Sequence, residues 1–203
     1  CEDIALMRSI PGMVIINPAD DVEARAAVLA MADYEGPAYL RFGRLAVPRI
    51  NPLDYKFELG KGVLMADGTD VTIVANGLMV EQALIAKDTL AAEGISARVI
   101  NMATIKPLDT DLVIAEAKKC GCIVTVEEHS VIGGLGAAVA EVIAETGKGC
   151  AFKRLGIQDQ FAPIGLHEDI MSTLSIDSNG IIAAVREAMN ADFELDDDWD
   201  DEV

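Results

Sequence analysis

Two arginines, Arg41 and Arg44, stand three residues apart in the run YLRFGRLAVP (39–48). AYLRF (38–42) reads as a strand, which puts both guanidinium groups at the exit of a parallel-type strand, just before a loop. Ligands sit at such exits in open α/β sheets. A guanidinium donates two parallel, charge-assisted hydrogen bonds, a geometry suited to phosphate. Gly43 between the two arginines would let the backbone turn close to a ligand. Composition offers a second explanation, two surface arginines that offset an acidic chain.

Other residue types invite chemistry less strongly. His129 follows a strand in VEEHS beside Glu127 and Glu128, an acid–base cluster in type. It also fits a loop that packs against a neighbouring domain. His167 precedes Glu168 and Asp169 and reads as a solvated residue at a helix start. Gly133-Gly134-Leu135-Gly136 opens a helix and could cradle an anion, or could let the helix pack closely on a sheet. Cys120 and Cys122 have a single residue between them and no further ligand near in sequence, so they read as structural thiols. The acidic run DFELDDDWDDEV (192–203) lacks the loop glycine and spacing of a calcium loop. It is expected to be a flexible tail.

The elements that would carry these residues follow from periodicity. EDIALMRSI has helical spacing and stops at Pro11-Gly12. MVII (13–16) is a short buried strand, after which Asn17 can cap a helix with Pro18 at its first position. That αβαβ unit has only two strands, so it should lean for cover on a missing partner segment or on the rest of the chain. Pro48, Pro52 and Gly60 mark a linker. Beyond it, GVLM (62–65) and VTIVA (71–75) flank Asp67-Gly68, a strong hairpin signal. Strands at 97–102, 122–128 and 152–157 alternate with helices at 78–93, 110–119, 134–146, 167–174 and 178–190. Asp109 stands where it can cap the helix at 110. Such alternation predicts a three-layer α/β/α domain with a mostly parallel sheet and right-handed crossovers. The expected organisation is a truncated α/β unit at 1–48, a linker at 49–60, the α/β domain at 61–191 and the tail at 192–203.

Bulk properties limit the function. The 203 residues are 51% hydrophobic, enough for a real core, with 34 acidic and 16 basic residues and a formal net charge of −18. An acidic chain repels phosphate backbones and anionic lipid, which argues against nucleic-acid or membrane partners. The four cysteines suggest no disulfide framework and fit a reducing compartment. The chain opens directly into a helix-like stretch without Met, which reads as a cut inside a larger protein.

Two long runs now become informative together. EDIALMRSIPGMVIINPADDVEARAAV followed by GPAYLRFGRLAVP resembles the end of the pyrimidine-binding domain of transketolases. GKGVLMADGTDVTIVANGLMVEQALIAKDTLAAEGISARVINMATIKPLD followed by VTVEEHSVIGGLGAAVAEVIAE resembles the C-terminal domain of the same family. The similarity is closest to the split bacterial and archaeal enzymes and covers the chain up to the tail. It implies a cytoplasmic transferase of the pentose phosphate pathway that moves a two-carbon ketol unit between sugar phosphates. The implied cofactors of the parent enzyme are thiamine diphosphate and Mg²⁺. The implied partners are the N-terminal section of transketolase and a second copy in a homodimer.

Position by position, the resemblance gives Arg44 the role of substrate-phosphate arginine, with Arg41 as a second candidate. The family's catalytic, cofactor-binding and metal-binding residues have no counterpart in this chain. No cofactor is therefore expected on this piece alone, and it is expected to be inactive in isolation. Two other assignments stay open. One is another thiamine-diphosphate enzyme, a deoxyxylulose-phosphate synthase or a 2-oxoacid dehydrogenase β subunit. The other is a non-catalytic interaction module.

Overall fold

The computed structural model describes residues 1–147 and 149–190, and the acidic run expected to be a tail lies outside them. In chain order the elements are α1 (Asp3–Arg8), β1 (Val14–Ile16), α2 (Asp21–Ala32), β2 (Ala38–Leu40), β3 (Val63–Ala66), β4 (Val71–Ala75), α3 (Met79–Ala92), β5 (Ala97–Asn101), β6 (Thr104–Lys106), α4 (Thr110–Cys120), β7 (Cys122–Ser130), α5 (Leu135–Glu145), β8 (Ala151–Ile157), α6 (His167–Thr173) and α7 (Ser178–Met189).

VTIVA and ARVIN are buried at every position, as strands covered on both faces must be. They lie side by side in a five-stranded sheet of order β3-β5-β4-β7-β8. The four strands from β5 to β8 in that order are parallel, and β3 runs antiparallel at the edge. Helices α3 and α7 bury Met79, Val80, Ala83, Ile181 and Val185 on one face. Helices α4 and α5 bury Val113, Leu135, Val139 and Ile143 on the other. The expected three-layer α/β/α arrangement is present.

The hairpin expected at Asp67-Gly68 is not. β3 pairs with β5, which lies between β3 and β4. Gly68 instead lets the connection press against the start of β5, where a Cβ would stand 2.4 Å from the Ala97 carbonyl carbon. Asp67 is used electrostatically, pairing with Arg98 on β5 and with Lys119 on α4.

The two-strand unit finds its cover in the rest of the chain. β1 pairs in parallel with β2 on one side and antiparallel with β6 on the other. β6 follows β5, so the chain runs directly from one sheet into the other. Ile4, Ile15 and Ile105 pack a small core beneath this sheet.

The helix cap expected at Asn17 lies elsewhere. Asn17 is spent on the junction, its N–H donating to the Ala103 carbonyl and its carbonyl accepting from Gly77. Asp20 caps α2, accepting from the Glu23 N–H at 2.9 Å, and its other oxygen accepts from the N–H groups of Ile50 and Asn51. Glu23 is fully buried and accepts from the Ala19 N–H, the Tyr55 hydroxyl and the Asn101 amide. Burial followed by the Glu23 charge raises the Tyr55 pKa. One carboxylate thus ties α2, the linker and β5 together.

Candidate functional site

β2 ends at Leu40, and the chain turns immediately through Arg41-Phe42-Gly43-Arg44. This loop lines a cleft of about 370 Å³ whose other walls include Asp3, Tyr39, Leu78, Glu128 and His167. The cleft continues along Leu45 and Leu78 past the start of α2 and along the start of α6. The two predicted arginines therefore share a concave site, but they are not equivalent within it.

Arg41 is committed to the protein. Its Nε donates to Asp3 at 3.0 Å, and its Nη2 donates to the Glu128 backbone carbonyl at 3.1 Å. Its Nη1 lies 3.5 Å from the Glu128 carboxylate. Tyr39 donates its hydroxyl to the same Asp3 oxygen at 2.9 Å. Burial works to raise the Asp3 carboxyl, but the Arg41 charge and the Tyr39 hydrogen bond outweigh it and hold it below the usual carboxylate range. Arg44 is exposed and makes no hydrogen bond or ion pair among the described residues. Its five donors face solvent and the cleft.

The acid–base cluster of VEEHS resolves into structural work. His129 lies within β7 rather than after it, and it is fully buried. Its Nδ1 stands 2.7 Å from the Ser130 carbonyl and its Nε2 accepts from the Ala5 N–H at 3.4 Å. That pair of contacts requires the neutral tautomer protonated at Nδ1. Burial depresses its pKa in the same sense. His129 thus packs against α1, as a residue of the domain junction.

Glu127 occupies the anion cradle of Gly133-Gly134-Leu135-Gly136. Its carboxylate accepts from the N–H groups of Leu135 and Gly136 at 2.7 and 2.8 Å. A Cβ on Gly134 would lie 1.9 Å from that carboxylate, so the glycine is what admits it. Glu128, the remaining member, points to the cleft and brings Oε1 to 3.9 Å from His167 Nδ1. Cys122 starts β7 in a buried place, and burial pushes its thiol up to about 11. It is therefore protonated and unreactive at neutral pH.

Among the described residues no group of three His, Cys, Asp or Glu is placed to hold a metal. The glycine-rich helix start that could take a diphosphate is filled by the chain's own carboxylate. Neither feature among the described residues offers a diphosphate–metal site. No helix among the described residues is long and apolar enough to cross a membrane.

A mostly parallel sheet covered on both faces, joined through a shared cleft to a smaller α/β unit, defines an α/β protein with a crevice at its domain junction. The family model described as the transketolase C-terminal domain matches residues 60–181, and that of the transketolase pyrimidine-binding domain matches residues 1–49. The chain belongs to the transketolase family. It is 42% identical over 191 residues to a protein of Methanocaldococcus jannaschii named as a transketolase C-terminal section, covering 93% of this chain and 60% of that one. It is 38% identical over 192 residues to a 1-deoxy-D-xylulose-5-phosphate synthase of Syntrophotalea carbinolica, covering 94% of this chain and 30% of that protein. A solved structure described as a split-gene transketolase, an inactive β4 tetramer, superposes with a TM-score of 0.87 at 44% identity. That superposition covers 93% of this chain and 61% of the other. The chain therefore spans at most about three fifths of the length of these relatives.

Asp3, Tyr39 and His167 were not legible as members of this cleft. Asp3 comes from α1 and His167 from α6, and neither carries a local motif that joins it to Arg41. The one usable signal was the position of Arg41 and Arg44 at a strand exit.

Proposed function

We propose that this chain is the C-terminal section of a transketolase and that Arg44 binds the phosphate of the sugar substrate. The observation that carries the role is the unequal state of the two arginines. Arg41 is held by Asp3 and Glu128, while Arg44 lies in the same cleft with its donors free. A dianionic phosphate meets in Arg44 a planar fork able to make two charge-assisted hydrogen bonds. Arg41 then serves to fix the loop that presents Arg44, rather than to touch the phosphate.

On this reading the chain assembles with an N-terminal transketolase section and with further copies of itself in the cytoplasm. Thiamine diphosphate and Mg²⁺ belong to residues outside this chain, and the chain alone transfers no ketol unit. The inactive assembly of one subunit type described for its structural relative supports that expectation.

The test is kinetic. In the enzyme reconstituted with the N-terminal section, Arg44→Ala should raise KM for a phosphorylated aldose about 10- to 100-fold, because a lost charged hydrogen bond costs about 1.5–3 kcal/mol. KM for the unphosphorylated aldose should barely move. Equal effects on both would remove the phosphate role. The similarity to a deoxyxylulose-phosphate synthase favours a second reading, in which the donor is pyruvate. Turnover with pyruvate and none with a ketose phosphate would select it.

A further inference from the structure

The larger sheet has a crevice of its own, and it opens on the same cleft. From β4 the chain crosses through α3 to β5 on one side, then returns past β4 through α4 to β7 on the other. Neighbouring strands β4 and β7 therefore lead to crossovers on opposite faces. Ligands of open α/β sheets bind outside the carboxyl ends of strands at such a divergence. Leu78 follows β4 there, and Glu128 stands two positions beyond Val126, the last β7 residue paired with β4. Both line the cleft that holds Arg44.

His167 completes that wall. Its imidazole is about one-third exposed and makes no hydrogen bond among the described residues. Glu128 lies beside it, with Oε1 3.9 Å from Nδ1 and Oε2 turned toward Arg41. Asp3 and Glu128 are already engaged by Arg41, so the cleft's donors with capacity to spare are Arg44 on the smaller unit and His167 on the larger. They face one space from two domains.

We propose that His167 is a second phosphate-binding residue, which closes on the substrate phosphate opposite Arg44 while Glu128 orients its ring. The proposal rests on the phosphate role of Arg44 and extends it by giving the C-terminal domain a direct substrate contact. A phosphate dianion between an arginine and an imidazole takes a hydrogen bond from each. The charged groups that line the cleft with His167 are Glu128 on its own unit and Asp3, Arg41 and Arg44 on the other, with Glu168 and Asp169 next to it on α6.

Kinetics of the reconstituted enzyme test this with four variants: His167→Asn, His167→Lys, Arg44→Ala and the Arg44→Ala/His167→Asn double variant. His167→Asn should raise KM for an aldose phosphate roughly 5- to 20-fold, leave kcat within about twofold, and leave KM for the dephosphorylated aldose unchanged. His167→Lys should recover most of the loss, because its ammonium also donates hydrogen bonds to a phosphate. The double variant should show less than the product of the two single effects if both residues grip one phosphate. An equal rise in KM for both sugars, or a fall in kcat without a KM change, makes His167 a structural residue and overturns the proposal. No effect of His167→Asn alongside a large effect of Arg44→Ala overturns it while leaving the Arg44 reading intact. No effect of either substitution overturns both.

Discussion

At the scale of single residues, the carboxylates do the most varied work, and Glu127 shows how burial and geometry oppose one another. Two backbone N–H groups at the start of α5 draw its carboxylate inward, and a helix N-terminus favours negative charge. Burial is the larger influence and pushes its pKa up to about 7 from an ordinary value of 4.5. A carboxyl whose folded pKa is raised contributes stability that is whole below its unfolded value. That stability is lost as pH rises through the folded one. Stability should therefore fall between about pH 4.5 and pH 7 through this residue. Glu127→Gln keeps the shape but offers an NH₂ group to one of the two N–H donors. It should cost about 1–3 kcal/mol at pH 5, and the gap to the unaltered protein should narrow at pH 8. Urea unfolding at both pH values measures it, and a gap that does not change with pH would show that Glu127 is ionised throughout.

At the scale of elements, sequence periodicity exposed each helix among the described residues and the strands of the larger sheet, because each of these buries a face set by its own residues. It missed what depends on distant chain. β6 is three residues long and carries no pattern of its own. Its pairing is with β1, from the other unit. Asp67-Gly68 has the composition of a hairpin, yet the parallel pairing of β4 with β5 displaces β3 from its neighbour in sequence. The cap of α2 was written in the sequence as Asp20-Val22-Glu23 spacing, but Asn17-Pro18 offered an earlier and equally local signal. Arg41 and Arg44 were readable as a pair, whereas their different states follow from Asp3 and Glu128, which only the fold brings near. A consequence follows for β6. Ile105 is buried against Ile4 and Ile15 beneath the small sheet. Ile105→Ala should cost about 2–5 kcal/mol, and the cost should fall on the N-terminal unit. In hydrogen exchange, the amides of β1 and β2 should lose protection while those of β4 and β5 keep most of theirs. Uniform loss across both sheets would mean that the two unfold as one unit.

At the scale of the whole molecule, the question is what holds two units of an acidic chain together. Apolar contact at the junction is joined by polar ties, namely Glu23 to Asn101, Lys106 to the carbonyls of Arg8 and Ile10, Arg8 to Gly133 and Glu141, and Arg41 to Glu128, with Asp3 holding Arg41 from its own unit. With a net charge of −18, removal of a cation from this junction leaves carboxylates facing one another. Arg41→Ala should therefore destabilise the protein by about 1–3 kcal/mol at pH 7. Partial exposure of Arg41 and its partners keeps the effect below that of a fully buried pair. The pH dependence identifies the cause. Asp3 has a folded pKa below its ordinary value of 3.8, so its ionisation stabilises the fold above that value, and the contribution is lost as pH falls through the lower folded pKa. In Arg41→Ala that acid-side loss should be smaller, and the two proteins should converge in stability as pH falls below about 3.8. Calorimetry at neutral pH should also show a broader or divided transition in Arg41→Ala than in the unaltered protein, since the units would then be joined by fewer ties. A constant difference at all pH values would assign the cost to lost packing of the Arg41 stem rather than to its charged pairing with Asp3.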